Sequence, residues 1–529
     1  MNKIKLLDCT LRDGGYVNDW KFGHRVICDV INELTVSGVE YIECGYLSQM
    51  KGGNLDKTQF ASIEDLLNIL PGNFENDKYT LMINYGEFDE KDLPLANADS
   101  PIIRVCFHKK DNEEAIRYCN QIIQKGYLVF VQPMASLNYS DVEFIEMIEK
   151  VNSIHPAGFY IVDSFGGMEL KAFQRLLSIA DHNLNIDIIL GYHSHNNLQQ
   201  AYENAKYFVR QKLNHDILLD ASVYGMGRGA GNLNMELFAS YLNKNYDKSY
   251  NIDKFLDIMD KYIKPIFSEH YWGYSLPYYL SAQYNCHPNY AGYFSEKNTL
   301  TNKSMRQLLA SLPEDVKVHY SREMAEKFYL SFQKNLVDDE CVLKELKEEF
   351  GNKEVLILAT GKSIYTEKDK INNFIEEKHP VKVGINSIPA EYQCNYLMCC
   401  SEKRFDQINV PDSCRLILSS NLIANRENLG ESMNAFVINY SSYLMDESLI
   451  SDNPTLMFIQ LCINIGVKKV FLVGFDGYSP NPRENYYDDS LSLGTSIDNK
   501  IQKNNLIRQK VQELAQAIDI EFITSSMYQ

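Results

Sequence analysis

Three stretches of the chain hold side chains that could do chemistry together. "LLDCTLRDGGY" (6–16) ends an apolar run and at once supplies Arg12, Asp13, Gly14 and Gly15. "GYHSHNN" (191–197) sets His193 and His195 two residues apart, and "GMGRGAGNLNME" (225–236) is a glycine-rich loop carrying Asn232. Taken alone, the first stretch also reads as a turn, because Asp-Gly and Gly-Gly are turn dipeptides and Arg beside Asp makes a solvated pair. The HxH pair says more. Alternate residues of a strand face one side, so both imidazoles point the same way. Two imidazoles and a carboxylate at one point make a divalent-metal site with positions open for substrate and water. The competing reading leaves both histidines as polar rim residues bonded to their neighbours.

Positioning these groups requires a scaffold, and the apolar pattern supplies one. Eight β-type runs alternate with helix-compatible segments, at 4–10, 39–47, 79–85, 102–108, 128–135, 158–165, 187–195 and 216–225. Strand–helix alternation of this kind predicts an α/β protein with a (β/α)8 (TIM) barrel over residues 1–250. "TLRDGGY" is not the GxGxxG of an open dinucleotide-binding sheet. In a barrel the strand ends gather function at one rim. Strands one, seven and eight are close together on closure, so Asp13, His193 and His195 converge, with the Asn232 loop beside them. Residues 251–350 read as a helical extension and linker whose aromatic stretch, "HYWGYSLPYYLSAQYNCHPNYAGYF" (270–294), covers the barrel mouth or forms a packing layer. A second α/β pattern, expected to be Rossmann-like, fills 351–529, with strand-like runs at 354–364, 381–388, 396–400, 414–420, 468–478 and 520–526.

"DCTLRDGG", "GYHSHNNLQQAYENA" and "GMGRGAGNLNMELF", in that order over residues 1–295, resemble the DRE-TIM metallolyase (HMG-CoA lyase-like) superfamily, and within it the 4-hydroxy-2-oxovalerate aldolases. The resemblance implies that Asp13, His193 and His195 bind Mn2+ or Mg2+, with Co2+ or Zn2+ as alternatives, and that Asn232 approaches the metal. It implies that Arg12 stabilises an enolate. The metal would polarise a bidentate 2-oxo acid, and a protonated, rigidly forked guanidinium suits the oxygen on which charge develops. Glu43 and Ser164, at the ends of strands two and six, take substrate-binding positions by the same analogy. One residue departs from the pattern: where these aldolases carry a histidine base three residues after the ligand Asp, this chain has Tyr16. A phenol is a better proton donor than base at neutral pH. The base is then Tyr16 through a water, Tyr290 or His287.

In the second half, "LILATGKSI", "VGINSI" and "NPTLMFIQLCINIGVKKVFLVGFDGY" resemble the family 42 sialyltransferases and motility-accessory-factor-like domains. The resemblance implies nucleotide or nucleotide-sugar binding through Thr360, Gly361, Ser363 and Asn386. The chain has no histidine after His379, whereas the transferases rely on one.

A formal charge of −18 argues against a nucleic-acid partner. Twelve scattered cysteines, mostly in apolar runs, read as buried thiols of a cytoplasmic protein. No leader or membrane span is expected. The reading is therefore a metal-dependent aldolase acting on a 2-oxo acid and an aldehyde through a pyruvate enolate, a homo-oligomer by analogy, with a link to surface-polysaccharide sugars through the second domain. The alternatives are an acyl-CoA-dependent Claisen synthase of the same superfamily and a non-catalytic ligand-binding scaffold.

Overall fold

Near-continuous apolar runs suit strands that are buried on both faces, and all eight expected runs form parallel strands. In the computed structural model, which describes residues 3–49, 53–70, 78–408, 410–424, 435–491 and 497–529, they are β1 (Ile4–Asp8), β2 (Tyr41–Leu47), β3 (Tyr79–Asn84), β4 (Ile102–Phe107), β5 (Val129–Pro133), β6 (Gly158–Asp163), β7 (Ile189–Ser194) and β8 (Ile217–Ala221). Each pairs with the next, β8 pairs with β1, and Leu7 opposite Tyr41 closes the ring between β1 and β2. A two-residue strand, Gln59–Phe60, adds to the end of β2.

The helices cover this barrel with one apolar stripe each. In His24–Ser37 the buried residues Ile27, Val30, Ile31 and Leu34 recur at helical spacing. Asp141–Ile154 starts at a reciprocal cap, in which Ser140 and Glu143 satisfy each other's backbone amides. Along β7 the pleat separates two jobs. Leu190 and Tyr192 belong to the core between strands and helices, while His193 lies on the opposite, lumen side. The Tyr192 ring packs 4.3 Å from that of Phe173, which also meets Phe208 at 5.7 Å. Phe173→Ala is expected to cost about 3–5 kcal/mol of stability by leaving a cavity in this layer, measurable by denaturant unfolding.

The chain divides inside the helical stretch expected as one extension. Met1–Asn289 and Glu314–His319 form one unit, and Tyr290–Pro313 with Tyr320–Gln529 form the other. The second unit holds a parallel sheet of β9 (Glu354–Leu358), β10 (Val381–Ile385), β11 (Tyr396–Cys399), β12 (Arg415–Ser419), β13 (Phe436–Ile438), β14 (Lys469–Val473) and β15 (Asp519–Phe522). Its order is β13-β12-β11-β10-β9-β14-β15, with an apolar core on each face. Strand order reverses at β9, which lies between β10 and β14. The edge strand β13 was not anticipated from the sequence: three residues carry too little periodicity to register. No disulfide joins the twelve cysteines, and no described helix is long and apolar enough to cross a membrane.

Candidate metal centre and its charged support

The turn after β1 is tied by Asp8, which accepts from the Thr10 amide and hydroxyl, both at 2.9 Å. Asp13 then donates its amide to the Cys9 carbonyl at 2.8 Å. Gly14 and Gly15 are required by space. A Cβ on Gly14 would lie 2.2 Å from the Thr10 carbonyl, and one on Gly15 would lie 2.0 Å from the Trp20 indole. Gly14 has an ordinary φ of −59°, so close packing, and not a left-handed turn, fixes it.

This turn brings Asp13 to β7. Potential ligand atoms of Asp13, His193 and His195, all buried, lie within 4.8 Å of one another. The His193 Nδ1 is 2.9 Å from Asp220 Oδ2. A carboxylate only accepts, so the proton is on Nδ1 and Nε2 is left to bind. His195 is held in register by a bridge to Asn232, and its Nδ1, 3.8 Å from Asp13 Oδ2, is buried without a hydrogen-bond partner. Burial pushes the His195 pKa down to about 3, which keeps the ring neutral as a ligand must be. For Asp13, burial opposes ionisation while His195 and Arg12 favour it, and the carboxyl is held below its usual range. Asn232 donates Nδ2 to Asp13 Oδ2 at 2.8 Å and to the Met226 carbonyl at 3.1 Å, leaving Oδ1 buried and unpartnered. An orphaned amide oxygen and an orphaned imidazole nitrogen beside a carboxylate are what a divalent cation would satisfy. The donor set fits one.

A chain of buried charge supports these ligands. Arg12 Nη1 reaches Asp13 Oδ1 at 2.5 Å and Nε reaches Glu43 Oε2 at 2.7 Å. The same Glu43 oxygen lies 2.8 Å from Arg104 Nη1, and Arg104 Nη2 pairs with Asp220, which orients His193. Arg12 Nη2 is buried with no partner, a donor held in reserve. Glu43 is thus occupied in fixing two guanidiniums. Ser164 is on the rim: its hydroxyl accepts from the Ala135 amide at 2.8 Å and its carbonyl from Arg228 Nη2 at 3.4 Å. Tyr16 bonds its hydroxyl to that of Tyr46 at 2.9 Å, and burial around the phenol raises its pKa.

The two candidate bases of the aromatic stretch separate. Tyr290 is fully buried in the second unit, its ring 5.1 Å from Tyr320 and 6.2 Å from Phe294, so it serves as packing there. His287 belongs to the barrel unit, with Nε2 3.1 Å from Arg228 Nη1. Sequence reading missed Arg104, Asp220 and Arg228. The first two carried a usable signal, a lone charge inside an apolar barrel strand.

In the second unit Thr360, Gly361 and Asn386 line a cavity of about 180 Å³ at the C-terminal ends of β9, β10 and β14. Ser363 donates its amide to Asp476 at 2.7 Å, and its hydroxyl is 2.5 Å from the same carboxylate. Arg404 Nη1 and Asn386 Oδ1, both buried, have no partner, and both residues line the cavity.

Residues 3–261 match the HMGL-like family model. A 4-hydroxy-2-oxovalerate aldolase of Desulfitobacterium hafniense is 27% identical over 273 residues, half of this chain and 79% of the relative. An oxaloacetate decarboxylase of Mycobacterium tuberculosis is 22% identical over 263 residues, 48% of this chain and 74% of that protein. Among solved structures, the N-terminal domain of an aldolase candidate from Bacteroides vulgatus aligns with 26% identity and a TM-score of 0.48, over 55% of this chain and 96% of its own. The N-terminal part of the chain, residues 3–261, thus matches the HMGL-like family, the DRE-TIM lyases and aldolases.

Proposed function

We propose that the barrel is a divalent-metal-dependent aldolase that makes or cleaves a 4-hydroxy-2-oxo acid through a pyruvate enolate. The observation that carries this reading is the meeting of three metal-ligating side chains with an unspent donor, Arg12 Nη2. Asp13, His193, His195 and the Asn232 amide oxygen would hold Mn2+ or Mg2+, which supplies Lewis acidity toward the keto oxygen and carboxylate of the 2-oxo acid. Arg12 is already fixed by Asp13 and Glu43, so its free nitrogen meets the enolate oxygen without reorganisation. Pyruvate release from a panel of 4-hydroxy-2-oxo acids, by protein stripped with EDTA and then reloaded with Mn2+, tests this. Activity should vanish on stripping and return on reloading; equal activity in the stripped protein would overturn the reading.

His287 takes the proton of the C4 hydroxyl in cleavage. Burial first, then Arg228 and the neighbouring histidines, depress its pKa well below the ordinary value, so the ring is neutral; Nδ1 meets the Asn289 amide and Nε2 meets Arg228 Nη1, and Nε2 takes the proton once substrate draws Arg228 away. Tyr16, with its pKa raised, stays a proton donor. His287→Gln should lower cleavage by about 100-fold or more while pyruvate methyl exchange, which needs no alcohol deprotonation, continues. In the unaltered enzyme the acid limb of the pH–rate profile should lie below about pH 6.5, because the lowered pKa keeps the base form to more acid pH. An acid limb above that value would exclude His287.

For the second unit, we propose that the cavity at the β9–β14 reversal seats a nucleotide or nucleotide-sugar, supported by its place at a strand-order switch and by the unpartnered Arg404 nitrogen.

A further inference from the structure

Past the metal ligands, the barrel mouth carries Arg228, whose charge is felt by Asp13 but which pairs directly with no carboxylate among the described residues. Arg228 follows Gly227, whose backbone runs so near the ligands that a Cβ there would lie 2.7 Å from Asp13 Oδ2. Its guanidinium lies over the Tyr16 ring, 5.0 Å from the centroid. Nη1 meets His287, and Nη2 has a 3.4 Å bond to the Ser164 carbonyl. Nε is buried with no partner. The Nε–Nη2 edge, the side of the fork that grips a carboxylate or phosphate with two bonds, is therefore almost unspent. Among the described residues no carboxylate forms an ion pair with Arg228. Nearby, the His108 and His319 rings meet at 4.0 Å, and His108 Nδ1 is buried without a partner. Lys110 acts on both rings, while Asp111 and Asp315 act on His319.

The charge balance of the site leads to the same place. Asp13, Glu43 and Asp220 carry three negative charges against two positive ones on Arg12 and Arg104. A divalent ion turns this to one net positive charge, and the carboxylate of a 2-oxo acid cancels it. Arg228 lies outside this balance, and Asp163, the buried carboxylate beside Ser164, spends its two oxygens on the Gly167 and Met168 amides. A neutral aldehyde would leave this partly buried guanidinium uncompensated; an anionic one would pair with it.

We propose that the aldehyde component is itself an anion, bearing a carboxylate or a phosphate that docks on the Nε–Nη2 edge of Arg228. The inference rests on the aldolase reading above and names its second substrate class. In the addition direction the bond forms between the enolate carbon of pyruvate and the aldehyde carbon. The carbonyl π pair moves to oxygen, which takes one proton, while the anionic group stays bound at Arg228.

The test uses the whole protein loaded with Mn2+, pyruvate, and acceptors matched in pairs: glyceraldehyde 3-phosphate against glyceraldehyde, and succinic semialdehyde against butanal. In at least one pair the anionic acceptor should have a kcat/KM about 10- to 100-fold above its neutral mate. The pair that shows the preference identifies the anion as phosphate or carboxylate. Arg228→Met should bring that ratio towards parity and Arg228→Lys should keep part of it. Neutral acceptors used as well as anionic ones, by an enzyme that still exchanges pyruvate protons, would overturn the proposal alone. Loss of pyruvate exchange in the unaltered protein would overturn the aldolase reading, and this proposal with it.

Discussion

Arg12→Lys is expected to slow enolate formation by about 100- to 1,000-fold, the usual loss when one preorganised oxyanion donor is removed. The guanidinium does three things from three nitrogens. Nε holds Glu43 at 2.7 Å, Nη1 holds Asp13 at 2.5 Å, and Nη2 is kept free. A lysine ammonium keeps the charge but concentrates it on one atom, so it cannot span two carboxylates and still present a fixed donor to substrate. The rate of methyl-proton exchange in pyruvate reads the loss directly. Mn2+ affinity, measured by titration, should change far less, because the three ligand side chains remain. A variant that keeps wild-type exchange would show that Arg12 is only a structural partner of Asp13.

Asp220→Ala should have the largest effect on the molecule as a whole. Asp220 is buried and joins Arg104, its partner across the lumen, to the candidate ligand His193. Removing it leaves Arg104 one carboxylate partner, Glu43, among the described residues, and stripping one partner from a buried ion pair costs about 3–5 kcal/mol. It also frees the His193 ring, and loss of such a partner lowers metal affinity by about 10- to 100-fold. Asp220→Asn separates these two roles. The amide oxygen can still accept from His193 Nδ1, so metal affinity should be largely kept, while the lost charge opposite Arg104 still lowers stability. Urea unfolding and Mn2+ titration of both variants check the pair of expectations. Equal losses of affinity in both variants would contradict the orienting role.

Much of this was legible because it is local. Each barrel strand announces itself as an apolar run, and His193 and His195 need only the period of one strand to face the same way. What escaped depends on closure of the barrel. Arg104 and Asp220 are 116 residues apart, and their pairing exists only when β4 and β8 face each other across the lumen. His287 and Tyr290 are three residues apart in one aromatic run, yet the first belongs to the barrel and the second to the other unit's packing; composition has no means of separating them. The glycine loop of the second unit shows the same limit. The resemblance implied nucleotide binding through Ser363, but its amide is taken by Asp476, 113 residues away. Unpaired donors in that cavity are found instead on Arg404, a residue with no motif around it.

The most direct measurement is exchange of the pyruvate methyl protons with D2O, followed by NMR, in the Mn2+-loaded protein, after EDTA treatment, and in His193→Ala. The account predicts exchange in the loaded protein, loss on chelation with recovery on adding Mn2+, and little or none in His193→Ala. Metal bound at the site without any exchange would contradict it.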